Sequence, residues 1–368
     1  MRPEPDFSNI LPHFMFDGAF ISAETYGFGH INDTYAAIFR QEDGTTRRYI
    51  LQRINHFVFK KPVELMSNIS AVTTYLREKI IKTGGDPDRE TLTLIPAKNG
   101  DIFHQTEEGD YWRVYVFIKN ALTYQIPESL QHVYNAARAY GSFQQLLADF
   151  PAAQLNETIP DFHNTAQRFE TFINVVEKDE HNRALAVKDE IGFVLQRAEE
   201  MPVLVDLIDQ GRLPIRVTHN DTKFNNVMID DETGEGICVI DLDTVMPGSL
   251  LYDFGDAIRS ISNTAEEDEM NLSIVHFNIE TYERYTQGYL DAMHEYLTPV
   301  EIEYLAFSSR LMTLECGIRF LADHINGDIY FRTKRDNHNL DRCRTQFKLA
   351  EEMEAKFEKM NHIVERNT

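Results

Sequence analysis

The sequence predicts an α+β protein of two unequal lobes, an N-terminal antiparallel sheet carrying one helix and a larger, mainly helical C-terminal lobe. Three observations predict it. Extended runs dominate the first 120 residues, helical periodicity dominates after Pro127, and one cluster of short strands interrupts the helical field at 216–241. At roughly 150 residues per domain, 368 residues suit two lobes, placed here at 1–118 and 127–368 with a connecting hinge at 119–126.

The elements follow from local pattern. Ala19 to Tyr26 alternates loosely, and Asn32 to Arg40 and Thr46 to Asn55 flank Glu42, Asp43 and Gly44, a hairpin turn between extended runs. Pro62 suits a first helical turn, and Leu65, Met66, Ile69, Val72, Leu76 and Ile80 then recur at helical spacing until Thr83, Gly84, Gly85, Asp86 and Pro87 end the run. Leu92 to Pro96 and Asp101 to His104 flank Asn99-Gly100, a second hairpin signal, and Tyr111 to Ile118 reads as a strong strand with Trp112 in the core. Segments 128–149, 165–179 and 188–210 carry apolar residues three and four apart, as do 277–295, 299–323 and 340–362 after the helical pattern resumes near Asn271. Between them, 216–219, 227–229 and 237–241 are short strands, the last two joined by a turn with Gly234 and Gly236.

Composition excludes several functions. The 36 basic and 59 acidic side chains leave a formal charge of −23, which disfavours a partner bound through its phosphate backbone, so nucleic acid is not expected. Cys238, Cys316 and Cys343 are far apart and make neither a thiolate zinc motif nor a disulfide framework. The amino terminus lacks the apolar run of a signal peptide and no window is long enough to span a bilayer, so no membrane partner is expected and a cytoplasmic setting is.

The string V-T-H-N-D-T-K-F-N-N at 217–226, followed by V-I-D-L-D-T at 239–244, carries the chemistry. Asp221 follows a strand, Asn226 lies five residues on, and Asp241 ends the next-but-one strand. That order sets one carboxylate where it accepts a hydroxyl proton, and an amide oxygen with a second carboxylate where they hold Mg²⁺, which prefers hard oxygen ligands. Phosphoryl transfer requires this set, because the protein mainly positions the nucleophile and neutralises charge. Asp243 leaves the chain on the same side as Asp241 and is a further metal candidate.

These residues resemble those of the aminoglycoside phosphotransferase and choline kinase superfamily. His219, Asp221 and Asn226 match its His-x-Asp-x-x-x-x-Asn catalytic loop, and Ile240-Asp241 matches the Ile-Asp that stands for the Asp-Phe-Gly of protein kinases. The resemblance implies a bilobed, protein-kinase-like fold, ATP and Mg²⁺ as cofactors, Asp221 as catalytic base, and Asn226 and Asp241 as metal ligands. It makes Asp253, in Asp253-Phe254-Gly255-Asp256, a structural support of the catalytic loop. It also implies that the glycine loop Y-G-F-G-H-I-N-D at 26–33 covers the nucleotide phosphates through Gly27 and Gly29, with Asn32 in place of a third glycine. Backbone groups of Phe117 and Ile118 are implied to meet adenine. The third strand normally supplies a basic residue to the phosphates. Here the pattern sets Gln52 at that position and Arg53 beside it on the opposite face, so either Gln52 acts as a neutral contact or a register change brings Arg53 in. Glu64 is the candidate partner on the following helix.

Longer strings resemble the N-acetylhexosamine 1-kinases: G-H-I-N at 29–32, Y-I-L-Q-R at 49–53, W-R-V-Y at 112–115, V-T-H-N-D-T-K at 217–223, I-D-L-D-T at 240–244, M-P-G-S at 246–249 and E-C-G-I-R-F-L-A-D at 315–323. They imply phosphorylation of the anomeric hydroxyl of GlcNAc or GalNAc, with His30, Arg319 and Tyr330 as sugar contacts beside Asp221. Each has a plainer alternative: His30 capping the turn, Arg319 pairing with Glu315 four residues earlier, Tyr330 lying on the core. F-H-N-T at 162–165 reads as loop structure. A kinase of choline, an aminoglycoside or homoserine on the same fold, and an inactive kinase-like binding protein, are the alternatives. No feature distinguishes GlcNAc from GalNAc or specifies an oligomeric state.

Overall fold

The computed structural model describes residues 5–27 and 31–368. β1 (Ala19–Thr25), β2 (Asp33–Arg40) and β3 (Thr46–Ile54) form an antiparallel meander, and the helix α1 (Pro62–Thr83) follows. The six apolar positions read from its periodicity are all buried, and Gly84 ends it in the left-handed conformation at φ +81°. After a short turn of helix, α2 (Pro87–Glu90), β4 (His104–Gln105) and β5 (Tyr111–Val116) complete a five-stranded sheet ordered β1-β2-β3-β5-β4. The second hairpin is only partly realised. Its turn closes through the Ala97 amide donating to Asp101 O at 2.8 Å, but Leu92–Pro96 makes only a lone bridge, Leu94 to Tyr115, and Pro96 has no N–H to extend a ladder.

The sheet separates two environments. Tyr49, Leu51, Trp112 and Val114 point to one face, packed under the N-terminal segment with Ile10 and Phe14. Alternate residues point toward α1 and the cleft, among them Gln52 and Arg113, which stand opposite each other on β3 and β5.

Within the expected hinge 119–126, β6 (Ala121–Leu122) already pairs with β8 (Val227–Asp230), which forms a hairpin with β9 (Gly236–Val239). The helices α3 (Leu130–Leu146), α4 (Thr165–Lys178), α5 (Lys188–Leu195) and α6 (Val203–Asp209) fill the intervening chain. The helix expected over 188–210 is divided: α5 stops at Gln196, a 3₁₀ turn follows at Ala198–Glu200, and Pro202 precedes α6. β7 (Arg216–Thr218) pairs with β10 (Met246–Gly248), a strand that sequence pattern does not suggest. α7 (Leu250–Ile261), α8 (Ile279–Met293), α9 (Pro299–Ile325), α10 (His338–Ala355) and α11 (Phe357–Asn367) form the rest. The helical pattern near Asn271 yields only a 3₁₀ turn, and the run 340–362 breaks at Lys356.

Close packing fixes the helices beneath the catalytic strands. A Cβ at Gly255 of α7 would lie 2.5 Å from Ser308 O of α9, so only glycine permits that approach. Several contacts tie the lobes, two of them away from the catalytic loop. Arg89 donates to Asp230 Oδ2 at 2.7 Å beside the hinge, and the buried Asn68 of α1 donates to Val245 O at 2.9 Å. No helix among the described residues is long and apolar enough to cross a membrane.

Candidate active site

The loop between β7 and β8 is held from below by one buried carboxylate. Asp253, in the first turn of α7, accepts the His219 amide at 2.8 Å and the Asn220 amide at 2.7 Å, while Gln144 donates to it at 2.8 Å. Burial lifts its carboxyl above the usual range despite these donors. Asp256, one turn on, accepts the Thr222 amide at 3.0 Å, and there burial is outweighed by Arg259 and Lys223, which lower its pKa. The support role read for Asp253 therefore extends to a second acidic residue on the same helix.

His219 connects this loop to the strand that ends at the cleft. The Asp221 amide donates to Nδ1 at 3.2 Å, so Nε2 carries the proton and donates to Ile240 O at 2.8 Å. Next to Ile240, Asp241 sits at φ +58°, a left-handed conformation that turns the chain sharply as it leaves β9. Asn226 donates through Nδ2 to Asp221 O at 2.8 Å, which sets its amide and turns its side-chain oxygen away from that bond. Asp221, Asn226 and Asp241 are thus brought to one rim by backbone hydrogen bonds rather than by contacts among their own oxygens.

The charges here are unequal. Burial, and then the nearby charges of Asp243 and Asp221, push Asp241 up to about 6. Asp221 is half-buried, and its Oδ1 lies 2.7 Å from Lys223 Nζ, an ammonium whose pKa rises chiefly because of that partner. Asp243 is buried, accepts from Asn32 Nδ2 at 2.6 Å and is ion-paired with Arg113. Asn32, at the place of a third glycine, therefore joins the end of the glycine loop to the catalytic lobe, and its Oδ1 also accepts the Asn55 amide at 2.9 Å.

This donor set suits a hard divalent cation. It offers carboxylate and amide oxygens, and a carboxylate whose ionisation burial opposes is stabilised by a cation. Among the described residues no three His, Cys, Asp or Glu side chains are grouped so as to hold a metal ion by themselves.

On the nucleotide side, Gly27 has φ +81°, whereas Gly29 and His30 lie outside the described residues. Gln52 faces the cleft, donating to Thr34 Oγ1 at 3.0 Å and accepting from Arg113 Nε at 2.9 Å. Register pairs Arg53 with Trp112 on the other face, where it bonds Asp33 at 2.8 Å and Asp110 at 3.2 Å, so no register change carries it into the cleft. On α1, the Met66 sulfur is 3.9 Å from Arg113 Nη1, and Glu64 stands in the first turn of the helix. At the hinge, the Phe117 amide donates to Arg48 O at 3.3 Å, and the Arg48 guanidinium lies 3.8 Å from the Phe117 ring centroid and 5.6 Å from that of Tyr26.

In the C-terminal lobe, Arg319 of α9 meets two rings, 5.3 Å from the Phe162 centroid and 5.6 Å from that of Phe331. Its contact with Glu315 is loose, at 4.0 Å, because Glu315 is committed to His163 at 2.8 Å. His163 also approaches Asn220 O at 3.3 Å, so it links α9 to the catalytic loop. F-H-N-T is more than loop structure. Phe162 flanks Arg319, His163 makes that link, and Asn164 caps α4 by accepting the Gln167 amide at 3.0 Å. Tyr330 is 67% exposed and sits on a loop whose amides at Ile329, Tyr330 and Phe331 all donate to Asp323, at 2.8–3.1 Å. Phe331 packs against Tyr330 at 4.8 Å, which brings Tyr330 and Arg319 into one neighbourhood.

Four residues of this site escape sequence reasoning in their roles: Arg113, Lys223, His163 and Asp323. Lys223 lay two positions beyond Asp221 and was open to local reading. The others act through neighbours distant in the chain, and no local signal marks them.

Known proteins share this fold. A family profile described as the phosphotransferase enzyme family, APH, matches residues 23–296. Among solved structures, an aminoglycoside phosphotransferase from Alicyclobacillus acidocaldarius superposes with a TM-score of 0.59 at 12% identity, covering 100% of this chain and 98% of that one. A microcompartment-associated aminopropanol kinase gives 0.55 at 16% identity over 95% and 96% of the two chains. A choline kinase from Cryptosporidium parvum gives 0.53 at 14% over 97% and 92%. At these identities the likeness is one of fold, a protein-kinase-like sheet lobe on a helical lobe, and the profile match over most of the chain shows that it belongs to the phosphotransferase enzyme family.

Proposed function

We propose that this protein is an ATP- and Mg²⁺-dependent kinase that phosphorylates the anomeric hydroxyl of an N-acetylhexosamine, GlcNAc or GalNAc, to the sugar 1-phosphate. The observation that carries the phosphotransfer reading is the rim formed by Asp221, Asn226 and Asp241, an accessible carboxylate beside a metal-suited oxygen pair. Residues 1–118 would hold the nucleotide, the hinge 119–126 would join the lobes, and 127–368 would supply catalysis and the sugar site. Gly27, Gly29 and Gln52 would line the phosphates, and adenine would meet the hinge at Phe117 and Ile118. An amicoumacin kinase of the same fold is known in complex with AMP-PNP and Ca²⁺, which supports a nucleotide with a divalent ion at such a cleft.

Asp221 accepts the proton of the anomeric hydroxyl as its oxygen bonds to the γ phosphorus and the bond to the bridging oxygen of ADP breaks. Asn226, Asp241 and the adjoining Asp243 would hold the metal, which supplies charge neutralisation on the phosphates. Lys223 holds the Asp221 carboxylate in place before substrate arrives. His30, Arg319 and Tyr330 would contact the sugar. A guanidinium beside the Phe162 and Phe331 rings is a directional donor for hydroxyl and acetamido oxygens, and it disfavours the cationic alcohols that are the alternative substrates.

The test is a substrate panel of N-acetylhexosamines, choline, homoserine and aminoglycosides with ATP and Mg²⁺, followed by phosphorus NMR. A sugar 1-phosphate is expected. Product only from a cationic alcohol would replace the sugar reading while keeping the kinase, and no ATP consumption with any member would leave a kinase-like binding protein.

A further inference from the structure

We propose that Arg113 of β5 supplies the phosphate-directed positive charge of the nucleotide cleft, oriented by Gln52, so that the cation usual on β3 has moved one strand across the sheet. This rests on the kinase reading of the same cleft.

The register carries the argument. Gln52 and Arg113 are direct cross-strand partners, so their side chains leave the sheet on the same face, toward the catalytic lobe. Arg53 points to the other face and is bonded to Asp33 and Asp110 there. The β3 position facing the cleft is thus neutral, and the adjacent β5 position facing the cleft is cationic.

Gln52 is suited to orienting that cation. Arginine Nε is a donor only, so the Gln52 atom 2.9 Å away is the amide oxygen. Its amide nitrogen then donates to Thr34 Oγ1 at 3.0 Å, which fixes the amide and spans β2, β3 and β5 with one chain of bonds. A lysine at 52 would set two like charges opposite each other across the strands. With glutamine there, one cation occupies the face.

Arg113 is 1% exposed, and its charge is answered from the catalytic lobe. Burial works against its protonation, yet Asp243 and also Asp241 hold the guanidinium firmly charged. In this structure Arg113 rests on Asp243 as Lys223 rests on Asp221. Both cations thus adjoin the carboxylates at the rim where a metal-bound triphosphate would enter.

The test measures binding. Affinities for Mg·ATP and for adenosine are determined by calorimetry on wild type, Arg113→Met, Gln52→Lys, Arg113→Gln and the double variant Gln52→Lys/Arg113→Gln. Arg113→Met is expected to weaken Mg·ATP about tenfold or more while adenosine binding stays within about twofold, since only the phosphates address the charge. The double variant, with its cation returned to β3, is expected to recover most of the loss seen in Arg113→Gln. Unchanged Mg·ATP affinity in Arg113→Met would overturn the proposal and leave Arg113 a clasp between the lobes, with the kinase reading intact. Equal loss for Mg·ATP and adenosine, with no recovery in the double variant, would overturn it as well. Failure of wild type to bind Mg·ATP would instead overturn the kinase reading and this inference with it. Should Arg113→Met not fold, Arg113→Gln carries the same expectation of a selective loss for Mg·ATP, and its absence would overturn the proposal.

Discussion

Lys223 Nζ lies 2.7 Å from Asp221 Oδ1, so this carboxylate of the cleft is paired before any substrate arrives. On the proposed mechanism, Asp221→Asn removes the proton acceptor and should lower kcat by about 10²–10⁴ while Mg·ATP affinity stays within a few-fold. Lys223→Met should lower kcat less, by about tenfold, since it leaves the base but not its partner. Steady-state kinetics with calorimetric binding checks both, and full turnover in Asp221→Asn would remove it from the role of base.

Asp253→Asn should destabilise the protein by about 2–4 kcal/mol, because an amide opposite two backbone donors and Gln144 leaves one of them facing an N–H. Turnover should fall as the loop of His219 and Asp221 loosens. Thermal melting and kcat report the two effects, and a variant as stable as wild type would contradict the support role.

Arg319→Met should raise KM for the N-acetylhexosamine by about tenfold and leave KM for ATP within about twofold, since the proposed role of the guanidinium is to contact the sugar and not the nucleotide. Asp323→Asn should act more weakly on the same constant by loosening the loop of Tyr330, and protease cleavage near 328–331 should become faster. Equal effects on both substrates would point to general destabilisation.

Glu352 of α10 supplies a pH dependence away from the site. Burial opposes its ionisation, but His276, the Phe277 amide and Lys356 outweigh that and bring the carboxyl from the ordinary 4.5 down to about 2. A depressed carboxylate contributes stability that is complete above the unfolded pKa and is lost as pH falls through the folded one. Glu352→Gln should therefore melt below wild type at pH 7, by up to about 3 kcal/mol of stability, and the gap should narrow as pH drops from 4.5 toward 2. A gap that is constant down to pH 3.5 would show that Glu352 owes nothing to its charge.

Much of the architecture is local in origin. The six-residue apolar stripe of α1, the Glu42-Asp43-Gly44 turn and the short strands around His219 follow from periodicity and turn chemistry acting over a few residues. Asp221, Asn226 and Asp241 are marked by spacing because the backbone of one loop and one hairpin places them. Errors fall where distant chain intervenes. β6 and β10 are two or three residues long and form only because β8 and β7 offer them an edge, and the single helix expected over 188–210 divides between Gln196 and Pro202.

The sequence by itself determined the main order of elements and the catalytic spacing, and it set a neutral Gln52 where a β3 cation is usual, leaving open whether Arg53 replaces it. Only the tertiary structure decided what answers that neutral position. Strand register sets Arg113 beside Gln52 and Arg53 behind the sheet, and lobe packing brings Asp243 and Asn32 to meet it. Positions 32, 52, 113 and 243 share no local period, so their convergence arises from the pairing of strands and the closing of two lobes, which act across the whole chain.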